Sequence, residues 1–418
     1  MTSQKIIFAA HDATTYQNLK LIEQRLSDRY ETEYLFLNDL FGETLPEATS
    51  DISNARHAIN YIRHEWVSRL DHQTHPGPLR YEIIQQILYD VVSPHIPYNL
   101  RQYAADADPD LFVCAHDRIP FVKHLLKIFY KQNVTTVALQ HGIRNIRGER
   151  NGPEPVNCLR PNSHPMSWTT ERIKREVLYP YGAFILGNPY LDEIYTIGEF
   201  FTDIVRSVRD ESPCFGSTDV LETGYPEYGH FDLQPYSPDV DSVLFLSTWE
   251  YEAGMWDDTL LNQVIRILAS VRDENDVSVT VRPHPKDSAK KIDRYRTEFD
   301  ISERDSMIDD IDLRDMAVTS FSTTILPSAI RGRVCGALRL PWERNQFGPF
   351  VDPFVLQIDE DHVSIHDRAD QRTAEDQERF LKQYCFLPQY HHPEQYESPA
   401  AYIAERLTNL LETSRTVR

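Results

Sequence analysis

The stretch DLFVCAHDRIPFVKHLLKIFYKQNVTTVALQHG, residues 110–142, reads as strand, helix, strand. DLFVCAHD is a short apolar run that stops on His and Asp. RIPFVKHLLKIFYKQN puts Phe121, Leu125, Ile128 and Phe129 on one face at helical spacing, and VTTVALQHG returns to β-branched residues. Strands joined through a helix are parallel neighbours, because a parallel pair needs a crossover of a dozen or more residues. The same unit recurs on both sides. Upstream, KIIFAA (5–10) is a strand, TYQNLKLIEQRLSD a helix carrying Leu19, Leu21, Ile22 and Leu26, and ETEYLFLN a strand. Residues 51–105 read mostly as helix, broken by THPGP and VVSPHIP. Downstream, YGAFILGN is a strand and VLETGYP (220–226) closes the half. LQPYSPDVDS (233–242), with two prolines and no periodicity, is the linker. The alternation then restarts with strand SVLFLSTW, a helix over WDDTLLNQVIRILASVRDEN, strands VSVTVRPHP and MAVTSFS, helix STTILPSAIRGR, and strand VCGALRLP. Terminal helices are expected at 372–386 and 399–415. The fold class is α/β, with two doubly wound parallel sheets in tandem.

Composition bounds the function. A chain of 418 residues exceeds one ordinary core. The net charge of -21 argues against nucleic-acid binding, which needs a basic face. Only 10 of the 43 basic residues are Lys, and acidic excess with little Lys suggests a halophilic protein, in which salt screens self-repulsion. Five scattered cysteines without a CxxC point to reduced, buried thiols and to no zinc site. The opening MTSQKIIFAAHD runs straight into a strand, and no apolar run is long enough to span a bilayer. A cytoplasmic protein is expected.

In open parallel sheets ligands bind beyond the carboxyl ends of the strands. In the first half those ends are AAHD (9–12), CAHD (114–117) and LQHG (139–142), which deliver His11, Asp12, His116, Asp117 and His141 to one edge. His and Asp are also ordinary strand terminators, and no spacing defines a metal site. Gly142 lets a ligand approach closely, and Arg144 opens a local run of arginines suited to phosphate oxygens. In the second half the ends are STWEYE (247–252), RPHPKD (282–287) and TSFSTT (319–324). Pro283 and Pro285 stiffen the chain around His284, which is placed to donate to a phosphate oxygen. Ser322, Thr323 and Thr324 bring hydroxyls to a strand-to-helix junction, where either an N-cap or an anion site is expected.

The ordered series ALQHGI (138–143), AFILG, ETGYPEYG (222–229), VTVRPHP (279–285) and AVTSFSTTILPSA (317–329) resembles the CDP-glycerol glycerophosphotransferase family and its capsule and polysialic-acid transferase relatives. The resemblance spans about residues 110–340 and implies a GT-B fold, two Rossmann-like domains facing a cleft. It implies an acceptor domain at 1–236, a nucleotide-donor domain at 237–395, and a helix at 396–418 crossing back. His141 resembles the family's catalytic base, His284 its phosphate-contacting histidine, Ser322 and Thr323 its paired hydroxyls, and Gly224 its interdomain turn. One departure is that no Asp or Glu occurs between Asp315 and Glu343, where the family has an acid for the donor's ribose. Leu326, Pro327 and Ser328 stand there instead.

These readings converge on a transferase. It would move a sugar or alditol-phosphate group from a nucleotide-diphosphate donor to a hydroxyl of a glycan, lipid-linked or polymer acceptor. His284, Ser322, Thr323 and Thr324 would hold the phosphates, with Arg282 either helping or supporting the strand end. His141 would be the general base, with His11, Asp12, His116, Asp117 and Arg144 lining the acceptor side. No cofactor, metal or nucleic acid is expected, and an acceptor at the inner membrane face would require peripheral docking. Two other readings share the architecture. One is a non-hydrolysing UDP-sugar 2-epimerase, which would need acids near the hydroxyl turn. The other is a nucleotide- or glycan-binding protein without catalysis.

Overall fold

The computed structural model describes residues 4–10, 13–26, 28, 30–37, 55–57, 96–115, 120–140, 190–211, 218–252, 256–340, 348–392 and 394–417. The first sheet comprises β1 (Gln4–Ala10), β2 (Tyr30–Phe36), β3 (Ala55–His57), β4 (Leu111–Cys114), β5 (Thr135–Leu139), β6 (Glu193–Thr196) and β7 (Asp219–Glu222). Its order is β3-β2-β1-β4-β5-β6-β7. The second comprises β8 (Ser242–Leu246), β9 (Ser278–Arg282), β10 (Asp300–Ile301), β11 (Met316–Thr319), β12 (Val334–Leu338) and β13 (Leu356–Ile358), in the order β10-β9-β8-β11-β12-β13. Every ladder among the described residues is parallel. Each sheet grows outward from its first strand and then reverses, so each has a switch point beside that strand: β1/β4 and β8/β11.

Strand periodicity divides each core in two. In the first sheet Ile7, Ala9, Phe112 and Cys114 face helices α2 (Ile96–Ala107) and α3 (Pro120–Lys131), through Leu100, Tyr103, Leu125 and Phe129. Ile6, Phe8, Leu111 and Val113 face the other way, against Tyr16, Leu19 and Ile22 of α1 (Ala13–Glu23). The same layer holds Ile403, Leu407 and Leu411 of the C-terminal helix, Pro399–Val417. That helix therefore returns to the first sheet. Each of those fully buried side chains contributes roughly 1.5–3 kcal/mol. An ion pair adds direction, since Arg406 reaches Glu193 of β6 at 2.6 Å.

Helix α4 (Glu199–Glu211) follows β6. In the second sheet Phe245, Val279 and Val281 pack on Leu261, Val264 and Leu268 of α5 (Asp258–Asn275). Asp257 caps α5 by accepting from the Leu260 N–H at 2.8 Å. Then come α6 (Ala289–Arg296), α7 (Met307–Asp312), α8 (Ile325–Ile330) and α9 (Ala374–Tyr384). One further core joins the two halves. Ile197, Phe201 and Tyr228 from the first pack with Phe350, Phe380, Leu381 and Tyr384 from the second.

Residues 232–240 have no regular structure, as expected of a linker, yet they are pinned. Gln234 and Ser237 donate from the backbone to the carbonyls of Ile330 and Gly332, and the Tyr236 hydroxyl donates to that of Ala369. Several elements escaped the sequence reading. β6 and α4 stand where it placed nothing, α6, β10 and α7 fill the span between β9 and β11, and β13 extends the second sheet. Within 51–105, read as mostly helical, the described residues include edge strand β3 as well as α2. A three-residue edge strand is too short to show a period. The strand expected at AFILG lies outside the described residues.

Candidate functional site

The carboxyl edge of the second sheet is the better defined of the two. β9 ends at Arg282, and the chain turns at once. The Asp287 N–H donates to the His284 carbonyl at 2.8 Å, closing a four-residue turn with Pro285 at its second position. Proline is pre-set for that place. The Asp287 carboxylate accepts the His284 N–H at 2.9 Å, and the Lys286 N–H donates to His284 Nδ1 at 3.1 Å. A neutral imidazole that accepts at Nδ1 carries its proton on Nε2. Burial lowers the affinity of His284 for a second proton, Asp287 opposes this, and Lys286 and Lys291 reinforce it. His284 is thus a half-buried neutral ring whose Nε2–H has no protein acceptor among the described residues.

Arg282 has a different task. Its guanidinium donates to the carbonyls of Arg304, Asp305 and Ser306 and pairs with Asp310, whose side chain is 4% exposed. It is committed to the loop before α7, where it supports the strand end.

Across the β8/β11 switch point, Thr248 Oγ1 and Ser320 Oγ lie 2.7 Å apart. Both residues are buried. The chain beyond β11 then presents Ser322, Thr323 and Thr324, each half-buried. Ser322 Oγ accepts from the Thr324 N–H at 3.3 Å, and its carbonyl accepts from Ile325. The N-cap of α8 is Thr324 rather than Ser322, and it makes no side-chain capping bond. The Thr323 hydroxyl makes no bond within the described residues, and Thr324 Oγ1 is buried without a partner. His284, after β9, and the hydroxyl turn, after β11, stand on either side of the β8 end. Two inter-strand spacings separate β9 from β11, roughly 10 Å.

Below this edge lies a buried ammonium that sequence reading passed over. Lys291 has no exposed side-chain surface and reaches Asp287 at 2.8 Å, Glu252 at 3.3 Å and the Thr248 carbonyl. Glu252 also accepts from the Ser288 N–H and hydroxyl, at 3.0 Å each. Burial would raise the Glu252 carboxyl, but Ser288 and Lys291 outweigh it and hold the group below its usual range. Asp287 lies one residue before the N-cap of α6 and Lys291 in its first turn, so the sequence offered only two opposite charges four positions apart. Trp249 is exposed, with the Lys286 ammonium 5.7 Å from its ring centre.

At the first sheet, a concavity beside the β1/β4 switch point is lined by Thr15, Asn18, Gln140, Tyr195, Thr223 and Tyr225. Asn18 staples α1 to the turn after β7, taking the Glu227 N–H at 3.0 Å and donating to the Tyr225 hydroxyl at 3.1 Å. Gly224 sits in that turn at φ +80, and a Cβ there would lie 2.2 Å from the Phe386 carbonyl oxygen. Only glycine accepts both the backbone angle and that approach. The remaining acceptor-side candidates, His11, Asp12, His116, Asp117, His141 and Arg144, lie outside the described residues. Their strands are in place: Ala115 and Gln140, which precede His116 and His141, both line the concavity.

Among the described residues no group of three His, Cys, Asp or Glu is placed to hold a metal ion, and no helix is long and apolar enough to cross a membrane.

No protein-family model matches the chain. No curated protein sequence matches it either. Solved structures do. The S. aureus MnaA–UDP co-structure shares 10% identity over 99% of this chain and 98% of its own, with a TM-score of 0.54. A UDP-N-acetylglucosamine 2-epimerase shares 10% over 100% and 98%, with a TM-score of 0.51. A UDP-glucosyltransferase from Polygonum tinctorium, capable of glucosylating indoxyl, shares 9% over 99% of each chain, with a TM-score of 0.52. At that identity a likeness speaks for the fold, and the fold it shows is the GT-B-like pairing of two α/β units common to glycosyltransferases and UDP-sugar epimerases.

Proposed function

We propose that this chain is a GT-B transferase, moving a sugar or alditol-phosphate group from a nucleotide-activated donor to a hydroxyl acceptor in surface glycan, polymer or glycoprotein biosynthesis. The observation that carries the reading is the neutral, turn-locked His284, whose Nε2–H has no acceptor among the described residues, on the same sheet edge as the Thr323 and Thr324 hydroxyls. Those groups donate without adding formal charge. They suit the oxygens of a diphosphate leaving group, where fixed donors stabilise developing charge.

On this reading residues 237–395 hold the donor, residues 1–236 receive the acceptor, and residues 396–418 tie back to the acceptor side. His141 takes the proton of the acceptor hydroxyl, with His11, Asp12, His116, Asp117 and Arg144 beside it. Gly224 shapes the turn between the two parts. An acceptor at the membrane would be met by peripheral contact from the cytoplasmic side.

A second reading is a non-hydrolysing UDP-sugar 2-epimerase, since the solved neighbours include a UDP-N-acetylglucosamine 2-epimerase of the same architecture. Incubation with CDP-glycerol or UDP-N-acetylglucosamine, with and without a hydroxyl acceptor, separates the two. Acceptor-dependent release of CDP or UDP supports the transferase. Isomerisation of the sugar without acceptor replaces it with the epimerase. Nucleotide binding with neither reaction overturns both and leaves a binding protein.

A further inference from the structure

We infer that Asp287 and Lys291 are positioning residues that hold His284 as a neutral Nε2–H donor for a phosphate oxygen. The inference rests on the donor-site reading above and deepens it.

Three facts build it. Both Asp287 oxygens are used, one taking the His284 N–H at 2.9 Å and the other the Lys291 ammonium at 2.8 Å. Both side chains are wholly buried. A charge is kept in such a place only when paired and hydrogen-bonded. The same ammonium reaches the Thr248 carbonyl, at the end of β8. One buried cation therefore sets His284 relative to the Thr248–Ser320 pair at the switch point, so both flanks of the phosphate site are referred to one point.

The turn also selects the tautomer. Lys286 is the third residue of the turn, so closing the turn with Asp287 brings its N–H onto Nδ1. Loss of the Asp287 clasp frees the ring to exchange tautomers. The groups facing the ring are Asp287, Glu252, Lys286 and Lys291, two of each sign. With the local charge balanced and the ring half-buried, the imidazole stays neutral, and its contribution to phosphate binding does not depend on protonation. An imidazolium clamp would lose strength as pH rises.

The test has two arms. In the first, 15N–1H correlation of the histidine side chains in the full chain, with His284→Ala for assignment, reads the tautomer without ligand. Wild type should show His284 neutral with the proton on Nε2 at pH 7, and Asp287→Asn should show mixed tautomers. A charged ring, or a proton on Nδ1, overturns the inference. In the second arm, calorimetry measures UDP and CDP binding. His284→Ala should weaken binding about tenfold, the loss expected for one hydrogen bond to a charged group, and by the same factor at pH 6.5 and pH 8. Asp287→Asn/Lys291→Met removes both buried charges together, which avoids stranding either and keeps the fold testable. It should weaken binding several-fold, with no further loss when combined with His284→Ala. Losses that multiply would show a merely structural role. If His284→Ala binds both nucleotides as wild type does, the donor-site reading falls with the phosphate role, while the first arm still judges the clasp.

Discussion

Glu222 ends β7, two residues before Gly224, and its carboxyl is pushed from 4.5 up to about 7. Burial is the main cause. Glu199 and Asp203 of α4 add repulsion, and Arg206 only partly offsets it. The folded protein thus holds a proton that the unfolded chain gives up near the usual glutamate pKa. A folded pKa above the unfolded one means that this stability is fully present below about pH 4.5 and is lost as pH rises to about 7. At 1.36 kcal/mol per pH unit the full shift would correspond to about 3.4 kcal/mol. The carboxyl is partly open to water, so screening brings the expected effect to about 1–2 kcal/mol. Glu222→Gln mimics the protonated form and keeps the shape. Urea unfolding of both proteins from pH 5 to pH 8 should show curves that coincide near pH 5 and separate with pH, the variant more stable by about 1–2 kcal/mol at pH 8. A difference that is constant across this range, or a variant that is less stable at pH 8, would refute burial as the source of the shift.

Thr324→Val removes a buried hydroxyl with no partner, so stability should change by less than about 1 kcal/mol while UDP or CDP affinity falls several-fold if that oxygen serves the donor; unchanged calorimetric binding takes Thr324 out of the site. Gly224→Ala forces a side chain into a positive-φ position against the Phe386 carbonyl and should cost about 2–4 kcal/mol by chemical denaturation. Arg406→Met leaves the Glu193 carboxylate, 3% exposed, without its cation, and should cost about 2–3 kcal/mol and speed proteolytic release of the C-terminal helix. Lys291→Met alone should destabilise by about 3–5 kcal/mol, more than the Asp287→Asn/Lys291→Met double change, because it leaves Asp287 charged and buried.

The parallel α/β architecture was legible because the central strands are buried on both faces and bounded by long amphipathic helices. β1, β4, β5, β8, β9, β11 and β12 fall on the stretches KIIFAA, DLFVCAHD, VTTVALQHG, SVLFLSTW, VSVTVRPHP, MAVTSFS and VCGALRLP that predict strands. What the sequence hid is short or marginal: the two-residue β10, the three-residue β3 and β13, and EIYT of β6, whose Glu193 looks like a loop residue until Arg406 is brought to it from 213 positions away. The same limit applied at the candidate site. Residue type and strand-end position were enough to single out His284 and the hydroxyl run. They could not show that Arg282 is consumed by the loop before α7, or that Lys291 lies under the turn, because both depend on contacts made only after the sheet has formed.

The missing acid acquires a structural reason. Leu326, Pro327 and Ser328, which stand where the resembled family has a carboxylate for the donor's ribose, are all buried in α8. Leu326 packs in the core that joins the two halves, with Ile325, Phe380 and Tyr384. The Ser328 hydroxyl is turned inward to the Thr324 carbonyl at 2.9 Å. A carboxylate placed on this face would be desolvated, so the helix that follows the hydroxyl turn here serves the joint between the halves. A nucleotide bound at this edge must take its ribose contacts from other elements. At this edge Trp249, in the chain just past β8, is exposed, and Lys286, two residues after His284, holds its cation 5.7 Å from that ring's centre. If Trp249 meets the ligand, its fluorescence should change on nucleotide addition and Trp249→Ala should lose that signal along with affinity, whereas a ribose acid built into α8 as Leu326→Asp should unfold the joint before it improves binding.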